Sequence, residues 1–161
     1  MIEDRIKKLI RTWRQKSHNE GDQFGSFVFI WFCFNAWLEH LAKNCSTDSK
    51  MLNELKERRS NMSELFQAFD VTIANDDYIL NSIKKLADLN KEKLIQSKSR
   101  KWSIMIIDKN DFGDIIEAIY RIRCNLFHGG KDADDLRDQI LVKEAAMILR
   151  QWIGKLIESW R

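Results

Sequence analysis

The chain has 161 residues, of which 44% are hydrophobic and 32% are charged. This composition excludes a disordered chain. The length predicts a single domain over 1–161 that can bury a hydrophobic core. A net charge of +3 does not by itself indicate a nucleic-acid partner. Three widely spaced cysteines without a C-x-x-C pair predict no metal site and a reducing, cytoplasmic location. No glycine-rich phosphate loop occurs, so we also expect no cofactor.

The first half of the chain has helical periodicity. Residues 2–16 predict a first helix, and residues 23–43 are apolar nearly all round, which predicts a helix covered on several sides. The apolar stripe of the first helix consists of Ile2, Ile6, Leu9, Ile10 and Trp13. A cap-like cluster at 46–48 precedes three shorter helices, at 49–59, 61–69 and 76–89. No apolar run is long enough to cross a bilayer, so we expect no membrane partner.

The second half continues this pattern after an interruption. Residues 90–101 predict a loop, and 102–107 form the one candidate strand, although a buried extended segment or a helical turn fits as well. Residues 111–127 predict a helix with the buried stripe Ile115, Ile119, Ile122 and Leu126. The last helix, 134–159, keeps helical spacing at Leu136, Ile140, Val142, Ala146, Leu149, Ile153, Leu156 and Ile157. These elements predict an all-α bundle of four long helices plus short ones, with an irregular middle at 46–107.

The most distinctive motif is YRIRCNLFHGGK at Tyr120–Lys131. Its two glycines, Gly129 and Gly130, predict a left-handed end to the preceding helix. Arg123 and His128 pair a permanent cation with the type of side chain that titrates nearest neutral pH. An imidazole could take a proton from a ribose 2′-OH while a guanidinium stabilises the charge growing on the phosphate. The plainer alternative is that both side chains only satisfy the carbonyls and the dipole at the helix end.

Helical geometry leaves the choice of arginine open. Arg123 and His128 lie roughly 140° apart on an ideal helix, at about 100° per residue. Arg121, Asn125 and His128 instead share one face, at i, i+4 and i+7. The candidate catalytic residues are His128, Asn125 and one of two arginines, Arg123 or Arg121. Asn125 would orient the phosphate or the imidazole.

The stretch RCNLFHGGK resembles the R-x4–6-H motif of the HEPN superfamily, in particular of free-standing bacterial members that read R-x-N-L-F-H-G. FVFIWFCFNAW at Phe27–Trp37 and the apolar helix from Leu136 onward resemble the same family. The resemblance implies an up-and-down helical bundle, in which 46–107 is an insertion. The resemblance favours Arg123, because it aligns with the family's arginine. It implies a metal-independent endoribonuclease that forms 2′,3′-cyclic phosphate ends and acts as a homodimer on RNA. The implied context is a toxin, with a cognate antitoxin as partner, or a component of phage defence.

Two other functions stay open. The chain could be a non-catalytic HEPN-like module that binds RNA, a nucleotide or a protein partner, including a nucleotidyltransferase. Lys131 and Asn35 are the candidate RNA contacts, although Lys131 can be an ordinary surface lysine and Asn35 can satisfy a neighbouring backbone group. Basic clusters at 1–16 and 84–101 could follow a phosphate backbone or be solvated helix faces.

Overall fold

The computed structural model describes residues 3–129 and 131–160, which form seven α-helices and no β-strand. The helices are α1 (Asp4–Asn19), α2 (Gln23–Leu41), α3 (Asp48–Lys56), α4 (Ser63–Asn75), α5 (Asp77–Glu92), α6 (Phe112–Phe127) and α7 (Leu136–Glu158). A short 3-10 turn, Ser60–Met62, leads into α4. The prediction of an all-α chain is confirmed. Ile2 and Gly130, which the sequence predictions used, lie outside the described residues.

Short polar side chains fix where several helices begin. Asp22, Thr47, Asp76 and Asp135 each accept a hydrogen bond from a backbone N–H in the first turn of α2, α3, α5 and α7. Such caps satisfy N–H groups that have no partner within the helix. The predicted cap cluster at 46–48 therefore acts through Thr47.

The other long helices pack around α7, which contacts α1, α2, α4, α5 and α6. At its middle, Trp152 is fully buried, and its ring lies 5.2 Å from Phe34, 5.1 Å from Phe69 and 5.9 Å from Phe112, centroid to centroid. The indole N–H donates to the carbonyl of Leu65 at 2.7 Å. The polar edge of the ring is thus satisfied, and side chains from α2, α4, α6 and α7 meet at one point.

Most of the aromatic run of α2 belongs to the core, as its composition predicts, although Phe32 is 38% exposed. Phe27, Trp31, Phe34 and Trp37 are each exposed by 2% or less. The helix is covered because α1 packs along it and α7 packs on another side. Within the ranges 3–129 and 131–160, no helix is long and apolar enough to cross a membrane.

Two positions of the predicted apolar stripes are exposed instead. Leu136 is 70% exposed because it is the first residue of α7, in a stretch of chain that neighbouring helices do not cover. Leu9 is 43% exposed, beside the fully buried Ile10, so the stripe of α1 is wider than the face that its neighbours cover. On α6, the stripe residues Ile115 and Ile122 are completely buried.

The connection between α5 and α6 contains the candidate strand at 102–107, which is not a strand in the structure. Ile104 and Ile106 are buried, while Met105 and Ile107 are 67% and 62% exposed, so the segment is extended and alternates between core and solvent. A strand needs a partner, and the one bridge among the described residues joins Ser97 to Arg100 rather than to this segment. The extended alternative left open by the sequence is the observed one.

Candidate functional site

A cleft of about 710 Å³ lies between the C-terminal part of α6 and a tight turn of the α5–α6 connection. Its lining residues are Ser97, Lys98, Ser99, Tyr120, Arg123, Cys124, Asn125 and His128. Its volume is within the usual range for ligand sites, about 300–1,000 Å³. Three of the predicted catalytic residues, Arg123, Asn125 and His128, therefore line the same cleft.

His128 occupies the position immediately after α6. Its backbone N–H still donates to the carbonyl of Cys124 at 3.0 Å, but its backbone angles (φ −97°, ψ 14°) leave the helical path. Gly129 follows with φ +71°, the predicted left-handed stop. The side chain of His128 is consequently exposed at the mouth of the cleft instead of continuing the helical face.

Replacing Gly129 with alanine is expected to lower the free energy of unfolding by about 1 kcal/mol. No atom lies within 4 Å of the added methyl group, so the loss comes from forcing a Cβ into the left-handed region. Gly21→Ala is the matched control, because Gly21 also has open space but not a positive φ. The control is expected to raise stability by about 0.5 kcal/mol in urea unfolding. Equal effects of the two substitutions would show that position 129 does not require a left-handed backbone conformation.

Arg123 lies along one wall of the cleft with its guanidinium against aromatic rings. Its Cζ is 4.7 Å from the ring centroid of Phe127, 5.7 Å from that of Trp31 and 5.8 Å from that of Tyr120. One Nη is 3.7 Å from a carboxylate oxygen of Asp48, and Nε is buried without a hydrogen-bond partner among the described residues. Because this ion pair is long and partly exposed, a phosphate can compete with it for the guanidinium.

Arg121 has a different position and does not line the cleft. Its side chain is fully buried, and Nη1–H donates to the carbonyl of Ile95 at 2.9 Å and to that of Trp102 at 2.7 Å. The guanidinium also stacks over the Trp102 ring at 4.7 Å. Arg121 thus holds the α5–α6 connection against α6, while the cleft is left to Arg123.

Asn125 lines the cleft, as Arg123 does, and also holds the α5–α6 connection, as Arg121 does. Its side-chain amide donates to the carbonyl of Gln96 at 2.5 Å. The Gln96 carbonyl uses one of the two amide N–H donors, which leaves the second N–H and the amide oxygen available to a ligand. The predicted role of Asn125 in orienting a substrate therefore comes with a structural one.

A buried charge cluster, which the sequence predictions missed, lies behind the cleft. Glu117 on α6 is 1% exposed and accepts two hydrogen bonds from Nε of Arg100, at 2.8 and 3.0 Å. Lys56 and Arg121 approach the same carboxylate at 3.6 and 3.7 Å. Burial lowers the pKa of Lys56. The carboxylate of Glu117 thus interacts with three cations. The i, i+4 spacing of Glu117 and Arg121 was the only feature of the sequence that indicated this cluster.

Tyr120 contributes a neutral hydroxyl to the cleft. Burial, together with the adjacent Cys124, raises its pKa to about 12. Cys124 is itself 8% exposed, which agrees with its predicted role as a small buried hydrophobe. Tyr120 can therefore donate or accept a hydrogen bond but is not a base at neutral pH.

The structure does not bring the two predicted RNA contacts into the cleft. The amide of Asn35 donates to the carboxylate of Glu39 at 2.9 Å on the same helix. The ammonium of Lys131 is 2.9 Å from the carboxylate of Asp138, and its side chain is only 5% exposed. Burial alone would raise the pKa of Asp138, but the Asp132 backbone N–H and the Lys131 ammonium outweigh it and lower the pKa.

The comparisons with known proteins do not indicate a function for the chain. No protein-family model, no curated protein and no solved structure matches the chain. Across the part of the chain that the structure describes, no group of three or more His, Cys, Asp and Glu side chains could hold a metal ion. What the site can do therefore follows from the chemistry of its imidazole, its guanidinium and the groups around them.

Proposed function

We propose that this chain is a metal-independent endoribonuclease of the HEPN type that acts as a homodimer. The observation that carries the proposal is that Arg123, Asn125 and His128 line one open cleft. An exposed imidazole can reach a ribose hydroxyl, and a guanidinium on the adjacent wall can approach the neighbouring phosphate. A role as a cytoplasmic toxin or phage-defence component rests on the sequence resemblance alone.

The proposed reaction is an intramolecular transesterification. The imidazole of His128 takes the proton of a ribose 2′-OH, the 2′-oxygen forms a bond to phosphorus, and the bond from phosphorus to the 5′-oxygen breaks. The products are a 2′,3′-cyclic phosphate and a 5′-hydroxyl. Arg123 stabilises the extra negative charge on the non-bridging oxygens in the transition state.

The reaction also needs an acid to protonate the leaving 5′-oxygen, and one imidazole cannot act as base and acid in the same step. In the proposed homodimer, two copies of the α6 C-terminus face one another, so that His128 of the second protomer supplies that proton. The exposed position of His128 supports this arrangement.

The proposal extends to the fold, which we take to be an up-and-down HEPN bundle with 46–107 as an insertion.

The test is an incubation of purified protein with mixed RNA in excess EDTA, followed by analysis of the product ends. We expect fragments with 2′,3′-cyclic phosphate and 5′-hydroxyl ends. Arg123→Ala is expected to reduce the rate about a hundredfold, as the loss of a transition-state donor does. Arg59→Ala is the control, because Arg59 also pairs with a carboxylate, that of Glu57, but does not line the cleft.

Binding without cleavage would contradict the proposal. It would favour the alternative function, a non-catalytic helical module that binds RNA, a nucleotide or a protein. Cleavage that stops in EDTA, or that leaves 3′-hydroxyl ends, would also contradict the proposal, because the imidazole mechanism needs no metal and produces a cyclic phosphate.

A further inference from the structure

The wall of the cleft opposite α6 is a tight turn, residues 97–100. The backbone groups of Ser97 and Arg100 exchange two hydrogen bonds of 3.2 Å, which places Lys98 and Ser99 at its tip. Ser97, Lys98 and Ser99 all line the cleft. The turn belongs to the α5–α6 connection, so it adds groups to the site that the α6 motif does not contain.

This wall is held in place on both sides of its tip. Before the tip, Arg121 binds the carbonyl of Ile95 and Asn125 binds that of Gln96. After the tip, Arg100 is anchored by Glu117, through an Nη to carboxylate distance of 2.6 Å. Since the anchors are buried or partly buried side chains of α6, the turn keeps a fixed position relative to the imidazole and guanidinium.

The side chains of Ser97, Lys98 and Ser99 have no hydrogen-bond or ion-pair partner among the described residues. Lys98 is exposed and forms neither an ion pair nor a side-chain hydrogen bond there, whereas Lys85 and Lys131 are both paired with carboxylates. The hydroxyl of Ser97 is buried without a partner, and the residue is only 6% exposed. A buried hydroxyl is normally hydrogen-bonded, and because Ser97 lines the cleft, its hydroxyl is available to a ligand there.

We infer that Ser97 and Lys98 form a second phosphate subsite, which binds the phosphate next to the one that is cut. The inference rests on the proposed function and specifies its substrate as an RNA strand with at least two successive phosphates. Arg123 and His128 act on the scissile phosphate from the α6 wall. The Lys98 ammonium and the Ser97 hydroxyl bind its neighbour from the opposite wall.

The direct test compares cleavage of a dinucleoside monophosphate, which has one phosphate, with that of trinucleotides that add a second phosphate on either side. The wild-type protein is expected to have a kcat/KM about tenfold higher for one of the trinucleotides, since a charge-assisted contact of this kind is worth about a factor of ten. Lys98→Ala is expected to bring the ratio close to one, and Lys98→Arg to restore most of it. Ser97→Ala is expected to lower the ratio about threefold.

Lys101→Ala is the matched control, because it removes the same charge from the same connection but lies outside the cleft lining. It is expected to keep the wild-type ratio. A ratio that does not change in Lys98→Ala, or that falls equally in Lys101→Ala, would overturn the subsite while leaving the ribonuclease proposal intact.

A binding measurement gives a result even if the protein does not cleave RNA. The affinity for a fluorescent single-stranded DNA, which lacks the attacking 2′-OH, is measured at several salt concentrations. Lys98→Ala is expected to reduce the slope of log K against log salt by about 0.7, the contribution of one phosphate contact on a single strand, and Lys101→Ala to leave it unchanged. Equal slopes in Lys98→Ala and wild type would overturn the subsite, while a complete absence of cleavage by wild type would overturn only the reaction.

Discussion

Glu117→Gln is expected to lower the free energy of unfolding by about 3–5 kcal/mol. The substitution keeps the shape of the side chain but removes the one negative charge shared by Arg100, Arg121 and Lys56. Breaking a buried ion pair on one side is strongly destabilising, because the remaining charges stay away from water without compensation. The side chains of Glu117 and Arg121 are exposed by 2% and 0%, so solvent cannot replace the lost partner.

The measurement is urea unfolding of the wild type and the variant, compared at equal slope of free energy against denaturant. Asp70→Asn is the matched control, since its bidentate pair with Arg58 has similar distances but is 40% and 46% exposed. An exposed pair is worth less than about 1 kcal/mol. If both substitutions destabilise the protein to the same extent, then Glu117 is not the buried centre of a charge cluster.

The substitution of Glu117 is also expected to affect the cleft, because Glu117 anchors the turn that forms the second wall of the cleft. Releasing Arg100 frees the chain that follows Lys98, while Arg121 and Asn125 still hold the chain before it. Faster hydrogen exchange at 97–102 in the variant, at a denaturant concentration where it remains folded, would accompany the lower stability.

His128→Ala is expected to reduce RNA cleavage at least about a thousandfold, because it removes the general base and, in a homodimer, the acid as well. Its effect on stability is expected to be within about 0.5 kcal/mol, since the side chain is exposed. Rates of cleavage in EDTA and urea unfolding, measured on the same preparations, separate the two effects.

His18→Ala serves as the control for this substitution. His18 is also exposed, lies in the last turn of α1 and does not line the cleft. It is expected to leave cleavage unchanged. A variant at 128 that retains activity, or an equal loss of activity in His18→Ala, would remove the imidazole of His128 from the mechanism.

The helices could be predicted from the sequence because their signals are local. The apolar stripe at Ile115 and Ile122, the cap at Thr47 and the glycine after His128 each act within a few residues along the chain. Helical periodicity is the strongest signal that a single sequence carries, and helix ends follow from caps and left-handed stops. The segment at 102–107 stayed open between alternatives, because a short apolar run fits a strand, an extended segment or a helical turn equally well.

The second wall of the cleft could not be predicted, because it depends on contacts between distant residues. Arg121 binds the carbonyl of Ile95, which lies 26 residues before it, and no pattern on α6 indicates which chain will cover that face. Arg121 and Asn125 lie one turn apart on α6 and both hold the connection, whereas His128 lies after the end of the helix and has left their shared face. The sequence likewise did not indicate that Lys131 pairs with Asp138, which lies seven residues further along the chain.

The most direct test of the central claim uses a pool of DNA strands of random sequence, each with one ribonucleotide at a fixed position. In EDTA, we expect a single cut directly after the ribonucleotide, with a 2′,3′-cyclic phosphate on the upstream fragment, and no such cut by His128→Ala. Cuts at deoxyribonucleotides, or equal cutting by the variant, would contradict the claim that this imidazole activates a ribose hydroxyl.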